Sequence, residues 1–337
     1  MSNFQHLTNL LKTGKDLNEE SVPEFISLLS DPQFTEDELA AITIDWKNKG
    51  ETPNELALIA KYILNKIDTL QVGFDVVDCC GTGGDNSGTY NISTTCAFLA
   101  AACGLRVAKH GGRKTTSSSG SIDFLEILEV KTFSQAKDIK QELENKGLVF
   151  IASPATQNIL GRWKGVCKKL KFFGQTGLIG TLTNPVNLSH QVLGVPKPEW
   201  GPLMLEALKI LGRKRALVVH GHPTMDEASL CGKTQIWQLE EERTKYFELE
   251  PKELGFNIQN NYSLEELKGG NPEQNAKIFH QIINGQASKA ILDTVLLNTA
   301  LVLWLCGTVS SLDNGIQETN RIIGSGEVRR FLESFMT

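Results

Sequence analysis

Three glycines within four residues, in the run Cys80-Gly81-Thr82-Gly83-Gly84-Asp85, oblige the chain to turn sharply at one point. A residue without a Cβ enters the left-handed region freely and lets backbone N–H groups approach a ligand closely. Before the run, Phe74, Val76 and Val77 form an apolar, β-branched stretch that reads as a buried strand. After it, Ser93 to Cys103 reads as a helix beginning at Ser93 or Thr94. A strand, a glycine loop and a helix N-terminus in that order suit an anion, and phosphate is the natural guest. Asn91–Thr94 (NIST), Lys109–Arg113 (KHGGR) and a Thr/Ser/Gly cluster ending at Ser121 follow, and together they read as a site for a phosphorylated sugar. A glycine-rich turn after a strand is also often no more than a tight turn, and the spacing here matches neither GxGxxG nor a P-loop ending in GK[ST]. Asp85 would repel a phosphate unless it accepts hydrogen bonds from sugar hydroxyls or sits near a metal.

From Asp75 onward, short apolar runs (Val76-Val77, Arg106–Ala108, Val149–Ala152, Ala216–Val219) alternate with amphipathic stretches, which predicts an α/β fold with a mostly parallel central sheet flanked by helices. Residues 1 to about 67 carry helical spacings only: Leu7, Leu10 and Leu11, then Val22, Phe25, Ile26 and Leu29, then Leu39, Ile42 and Trp46. Asp16 or Asn18, and Thr35 with Glu38 three residues on, are the N-cap signals. Near the C-terminus, Glu248–Phe256 (ELEPKELGF) reads as a loop with its own short strand, followed by helices. At 337 residues and 40% hydrophobic content the chain can bury one large core and a smaller one. A net charge of −5 argues against a general nucleic-acid binder. The seven cysteines, odd in number and with no CxxC pair, read as reduced thiols of a cytoplasmic protein. Ala290 to Val309 is interrupted by Asp293, Asn298 and Thr299, which suits a buried helix better than a membrane span.

The order GTGGD, NIST, KHG and GS, followed by Asp226-Glu227 after the VVHG run Val218–Gly221, resembles the anthranilate phosphoribosyltransferases of the nucleoside-phosphorylase-like class. KGET (Lys49–Thr52), TNP (Thr183–Pro185), LGV (Leu193–Val195), SLEELKGG (Ser263–Gly270), NAKI (Asn275–Ile278) and SG (Ser325–Gly326) fall in that family's order, so the resemblance covers nearly the whole chain. It implies a small helical lobe of residues 1–70, joined by about 160–195, and an α/β domain of residues 71–159 and 196–337. It also implies transfer of phosphoribose from phosphoribosyl pyrophosphate to anthranilate, in tryptophan biosynthesis, by a homodimer formed through the helical lobe. Leu10, Phe25 and Trp46, read as turned away from a single small core, add to the dimer expectation. On this resemblance Gly81, Thr82, Gly83, Gly84, Asp85, Asn91, Ser93, Thr94, Lys109 and Ser121 hold the donor, and Asp226 and Glu227 with Ser93 hold Mg²⁺ on the pyrophosphate. The acceptor falls to His110, Gly112, Arg113, Arg162 and Cys167. Taken alone, adjacent acidic residues are usually solvated surface and an unplaced histidine is usually a packing residue.

The departures from the family cluster on the acceptor side. KHGN reads KHGG, so an asparagine becomes Gly112; an arginine that would pair with the anthranilate carboxylate aligns with Cys167; HPAMK is replaced by Gln157–Gly161, and Gly-Pro by Gly180-Thr181. Loss of such an arginine alone weakens anthranilate binding by about ten- to a hundredfold. Arg162, Lys164, Lys168, Lys169 and Lys171 could replace it, with Lys171 on nearly the same helix face as Cys167, or could simply form a solvated face. The expectation is weak anthranilate use, improved by Gly112→Asn with Cys167→Arg. Two other functions remain open at this stage: a paralogue that transfers phosphoribose to, or phosphorolyses, a different aromatic or nucleobase-like compound, and a non-catalytic nucleic-acid-binding relative supported only by the basic run Arg162–Lys171.

Overall fold

The helical periodicity of the N-terminal segment is realised as α1 (Asn3–Lys12), α2 (Ser21–Ser30), α3 (Glu36–Lys49) and α4 (Pro53–Leu64). The structure, a computed structural model, describes residues 3–112, 120–152, 154–172, 174–254, 256 and 262–336. Thr35 caps α3 and Thr52 caps α4, each in a reciprocal capping box with the glutamate three residues on. Of the two signals before α2, Asn18 acts, accepting from the Glu20 and Ser21 N–H groups, while Asp16 pairs with Lys49.

The rest is β1 (Val77–Gly81), α5 (Ile92–Ala102), β2 (Val107–His110), α6 (Ser121–Ile127), α7 (Ala136–Lys146), β3 (Leu148–Ile151), α8 (Pro154–Lys169), α9 (Gln175–Gly180), β4 (His190–Gly194), α10 (Trp200–Ile210), β5 (Arg215–Gly221), β6 (Thr234–Glu240), β7 (Arg243–Leu249), α11 (Pro272–Ile283), α12 (Lys289–Leu305), α13 (Leu312–Gly324) and α14 (Glu327–Met336). One sheet has the order β3-β2-β1-β4-β5-β6-β7, parallel from β3 to β5 and antiparallel at β6 and β7. From β1 the chain moves outward to β2 and β3, then returns to lay β4 on the other side of β1. Such a reversal leaves a crevice beyond the carboxyl ends of the two central strands, where ligands of open α/β sheets bind.

Three features differ from the sequence expectation. Strand β4 lies at the centre of the sheet, paired with β1 and β5, so the segment 160–195 does not belong wholly with the helical lobe. Its HQVLG sequence mixes polar residues and glycine into a fully buried position and carries no strand signature. The β6–β7 hairpin turns at Glu241 and Glu242, whose φ values of 46° and 70° are left-handed; two glutamates give no turn signal. Finally, Phe25 and Trp46 are fully buried inside the lobe, where Trp46 lies 5.3 Å from the Phe25 ring and 5.9 Å from Trp163 of α8. They do not face outward, and that support for a dimer falls away.

The buried apolar residues form two large cores and a smaller third one, in which Ile139 and Leu143 of α7 pack with Val149 and Ile151 of β3. Of the two large cores, one packs α5, α11 and α12 against one face, with α14 beyond, and the second joins α1–α4, α8, α9 and α10 to the opposite face. Helix α12 is buried almost throughout, and among the described residues no helix is long and apolar enough to cross a membrane. Its polar interruption has a local purpose: Asn298 accepts from the Ala228 N–H and donates to the Ala228 carbonyl, both at 2.9 Å.

Candidate active site

Strand β1 ends at Gly81, and the loop that follows reaches α5 with its N-cap at Asn91, so the helix starts one or two residues before the expected Ser93 or Thr94. Gly83 and Gly84 take φ of 71° and 85°, which only glycine adopts without strain. Around this turn lies a cavity of about 440 Å³ whose walls include Gly81 to Ser93, Lys109 to Gly112, Gly120, Ser121, Asp226 and Glu227. The Thr94 hydroxyl donates to Ser121 Oγ at 3.3 Å and joins the two loops below it. Asn91 is engaged from behind, its Oδ1 accepting from Asn275 at 2.8 Å, which gives the NAKI segment a place in the site. Lys109 lines the same cavity. It is 2% exposed and donates to the Cys79 carbonyl at 2.6 Å and to Ser93 Oγ at 3.2 Å, forming a positive floor.

Asp226 and Glu227 follow β5 and come beside Asp85, the carboxylate that was unusual in a phosphate loop; one oxygen from each of the three lies within 4.8 Å of the others. Asp226 Oδ2 accepts from the Gly83 N–H at 2.7 Å, binding the acidic segment to the glycine turn. Asp85 Oδ2 and Glu227 Oε2 are buried with no hydrogen-bond partner. Burial, and the negative charges of its neighbours, raise both Asp226 and Glu227 above the usual carboxylate range. Buried carboxylates that repel one another and leave oxygens unpartnered fit a hard divalent cation, which takes such oxygens as ligands. Asp85 thus lies where the reading of it as a residue near a metal would put it. Ser93 lines the same cavity.

A second cavity, of about 480 Å³, shares the turn and His110 to Gly112 with the first and extends to Thr156, Leu160, Gly161, Lys164 and the α9 residues Thr176, Gly177 and Gly180. His110 and Gly112 line both cavities; Arg113 lies outside the described residues. Cys167 and Arg162 do not line it. Cys167 is 3% exposed within the lobe core, and the Arg162 guanidinium donates to the Asp31 carbonyl at 2.8 Å and to the Phe34 carbonyl. The reason is the orientation of α8. Leu160, Trp163, Val166 and Cys167 recur at spacings of three and four and bury one stripe, a signal legible in the sequence that places 167 in the core. An arginine at 167 would carry an unpaired charge into that core, so Cys167→Arg would destabilise the fold rather than restore an acceptor contact. Lys171 has φ 58° beyond the helix end and does not share a face with Cys167, and Lys169 pairs with Glu36. Two of the five basic side chains of this run, Arg162 and Lys169, are thus engaged within the protein, which weakens the support for a nucleic-acid surface.

His110 closes β2 between the two cavities. Burial lowers its pKa to about 4, the nearby Lys109 ammonium acting in the same direction and a hydrogen bond to the Gly180 backbone opposing both. The imidazole is therefore neutral across physiological pH. A depressed value contributes stability above the ordinary 6.5 that is lost as pH falls toward 4. In an NMR titration the His110 ring is expected to titrate near 4; a midpoint near 6.5 would show a solvated histidine.

Residues 73–329 match the glycosyl transferase family, a/b domain. The anthranilate phosphoribosyltransferase of Dictyoglomus turgidum is 35% identical over 325 residues, 96% of each chain. That of Bacillus cereus is 38% identical over 318 residues, 94% of this chain and 92% of its own. The crystal structure of the Thermus thermophilus anthranilate phosphoribosyltransferase superposes with a TM-score of 0.85 at 31% identity over 98% of both chains. The Saccharomyces cerevisiae enzyme in complex with PRPP and Mg, at 24% identity, shares the fold, with a TM-score of 0.87 over 99% of this chain and 96% of its own.

Proposed function

The chain belongs to the anthranilate phosphoribosyltransferases of the glycosyl transferase family, and we propose that it transfers the phosphoribosyl group of phosphoribosyl pyrophosphate to the amine of anthranilate, the reaction that serves tryptophan biosynthesis. The observation that carries this reading is the pair of cavities meeting at His110–Gly112 and the Gly81–Gly84 turn, one lined by hydroxyls, loop backbone and three carboxylates, the other largely uncharged. In the first, the loop N–H groups and the hydroxyls of Ser93 and Ser121 face the phosphates. Asp85, Asp226 and Glu227, with Ser93 beside them, would hold Mg²⁺, which when bound would neutralise the charge gathering on the departing pyrophosphate. The second cavity brings the aromatic amine to the opposite side of the sugar, and catalysis by this chain is mainly a matter of positioning the two reactants. A neutral His110 can accept a hydrogen bond from the attacking amine.

The protein incubated with phosphoribosyl pyrophosphate, Mg²⁺ and anthranilate is expected to consume anthranilate and release pyrophosphate in equal amounts. Substitution of anthranilate by a nucleobase is expected to stop the reaction; faster turnover of the nucleobase would favour a paralogue instead. The same reading includes a homodimer through the helical lobe. With Phe25 and Trp46 buried, its remaining local support is the exposed Ile44 beside half-buried Ala40 and Ala41 on α3, and light scattering at twice the chain mass is the expected result.

A further inference from the structure

Helix α8 buries Leu160, Trp163, Val166 and Cys167 in the lobe and turns Lys164 the other way, into the junction of the two cavities. Among the described residues lining the acceptor cavity, Lys164 has the only charged side chain, since His110 is neutral. The remaining walls are glycine, threonine, leucine and cysteine. Two other members of the basic run are occupied: Arg162 binds two carbonyls of the α2–α3 connection, and Lys169 pairs with Glu36. Lys164 makes no hydrogen bond or ion pair with any described residue; Asp123 acts on it only through space, against a larger lowering of its pKa by burial. A half-buried ammonium without a partner is unfavourable in the free protein and is relieved when a ligand brings an anion to it.

We propose that Lys164 binds the carboxylate of the acceptor and makes this protein selective for an anionic aromatic amine over its neutral analogue. The inference rests on the phosphoribosyl-transfer reading. It assigns the cation to the acceptor rather than to pyrophosphate because the donor cavity already has the Lys109 floor and a carboxylate cluster suited to Mg²⁺, whereas the acceptor cavity has no second charge among its described walls.

The test compares anthranilate with 2-aminobenzamide, which replaces the carboxylate by an amide of similar shape. Lys164→Met is expected to lower kcat/KM for anthranilate by roughly 10- to 100-fold, as loss of a charge-assisted hydrogen bond does, chiefly through KM. The KM for phosphoribosyl pyrophosphate and the turnover of 2-aminobenzamide should stay within about twofold, and Lys164→Arg should keep most of the anthranilate activity. Equal losses with both acceptors, or a rise in the donor KM matching that for anthranilate, would assign Lys164 to pyrophosphate or to the fold and overturn the proposal. Unchanged anthranilate kinetics would overturn it too. If 2-aminobenzamide is not turned over at all, the split between the two KM values decides. Absence of transfer by the unaltered protein is a different result: it rejects the reaction itself, and the role of Lys164 with it.

Discussion

Asp226→Ala combined with Glu227→Ala is expected to lower kcat/KM at least about a thousandfold, roughly 4 kcal/mol of transition-state stabilisation, while the fold persists. Two carboxylates of a three-carboxylate cluster disappear, and with them the means of holding a divalent cation on pyrophosphate. The Gly83 N–H also loses its acceptor, so the phosphate turn loosens at the residue that opens it. Stability should move the other way. In the metal-free protein these buried carboxylates repel each other, which is why burial and mutual charge raise both. Removing them relieves that repulsion, so the thermal midpoint without Mg²⁺ should be unchanged or higher. Ligand linkage supplies a second readout, because Mg²⁺ should raise the midpoint of the natural protein and leave the double variant unaffected. Retained activity together with a retained Mg²⁺ shift would place the metal elsewhere.

Gly194→Ala should be the most destabilising single methyl in the site, at about 3–5 kcal/mol. A Cβ there would stand 1.5 Å from the Asp226 carbonyl oxygen and 2.3 Å from its carbon, and a backbone cannot swing aside as a side-chain tip can. Nor is that backbone loose, since Asn298 holds Ala228 by both its N–H and its carbonyl. Gly81, opposite Gly194 in the β1–β4 register, is closed by the same residue, its Cβ position lying 2.2 Å from Asp226 Oδ2. The acidic segment after β5 therefore lies across the ends of both central strands, and glycine at each end is what admits it. Gly73→Ala, with no atom within 4 Å of the added carbon, is the control and should shift the urea midpoint little. Equal midpoints for the two variants would mean that the segment yields more readily than its contacts imply.

Much of this arrangement is carried by local chemistry. Helix caps at Thr35 and Thr52, the strand–turn–helix from Val77 to Ala102 and the alternation that makes the sheet largely parallel all depend on interactions within a few residues, and pattern shows such interactions directly. Strand β4 and the β6–β7 hairpin escape for complementary reasons. A short strand buried on both faces has no alternation to display, and a turn through Glu241-Glu242 runs against the preference of its own residues.

The sequence by itself determined the fold class and pointed to the glycine turn as a phosphate site, because each is a run of neighbours whose chemistry is local; the acidic pair became a metal candidate only through the family resemblance. Only the tertiary structure decided that Asp85 joins Asp226 and Glu227, that Asn298 and Gly194 hold and admit that segment, and that the side of α8 away from its apolar stripe, with Lys164, meets the cavity. Those outcomes depend on residues as many as 143 positions apart and on what packs against each face of a helix. Composition leaves both undetermined until the helix docks and its most apolar stripe takes the buried side.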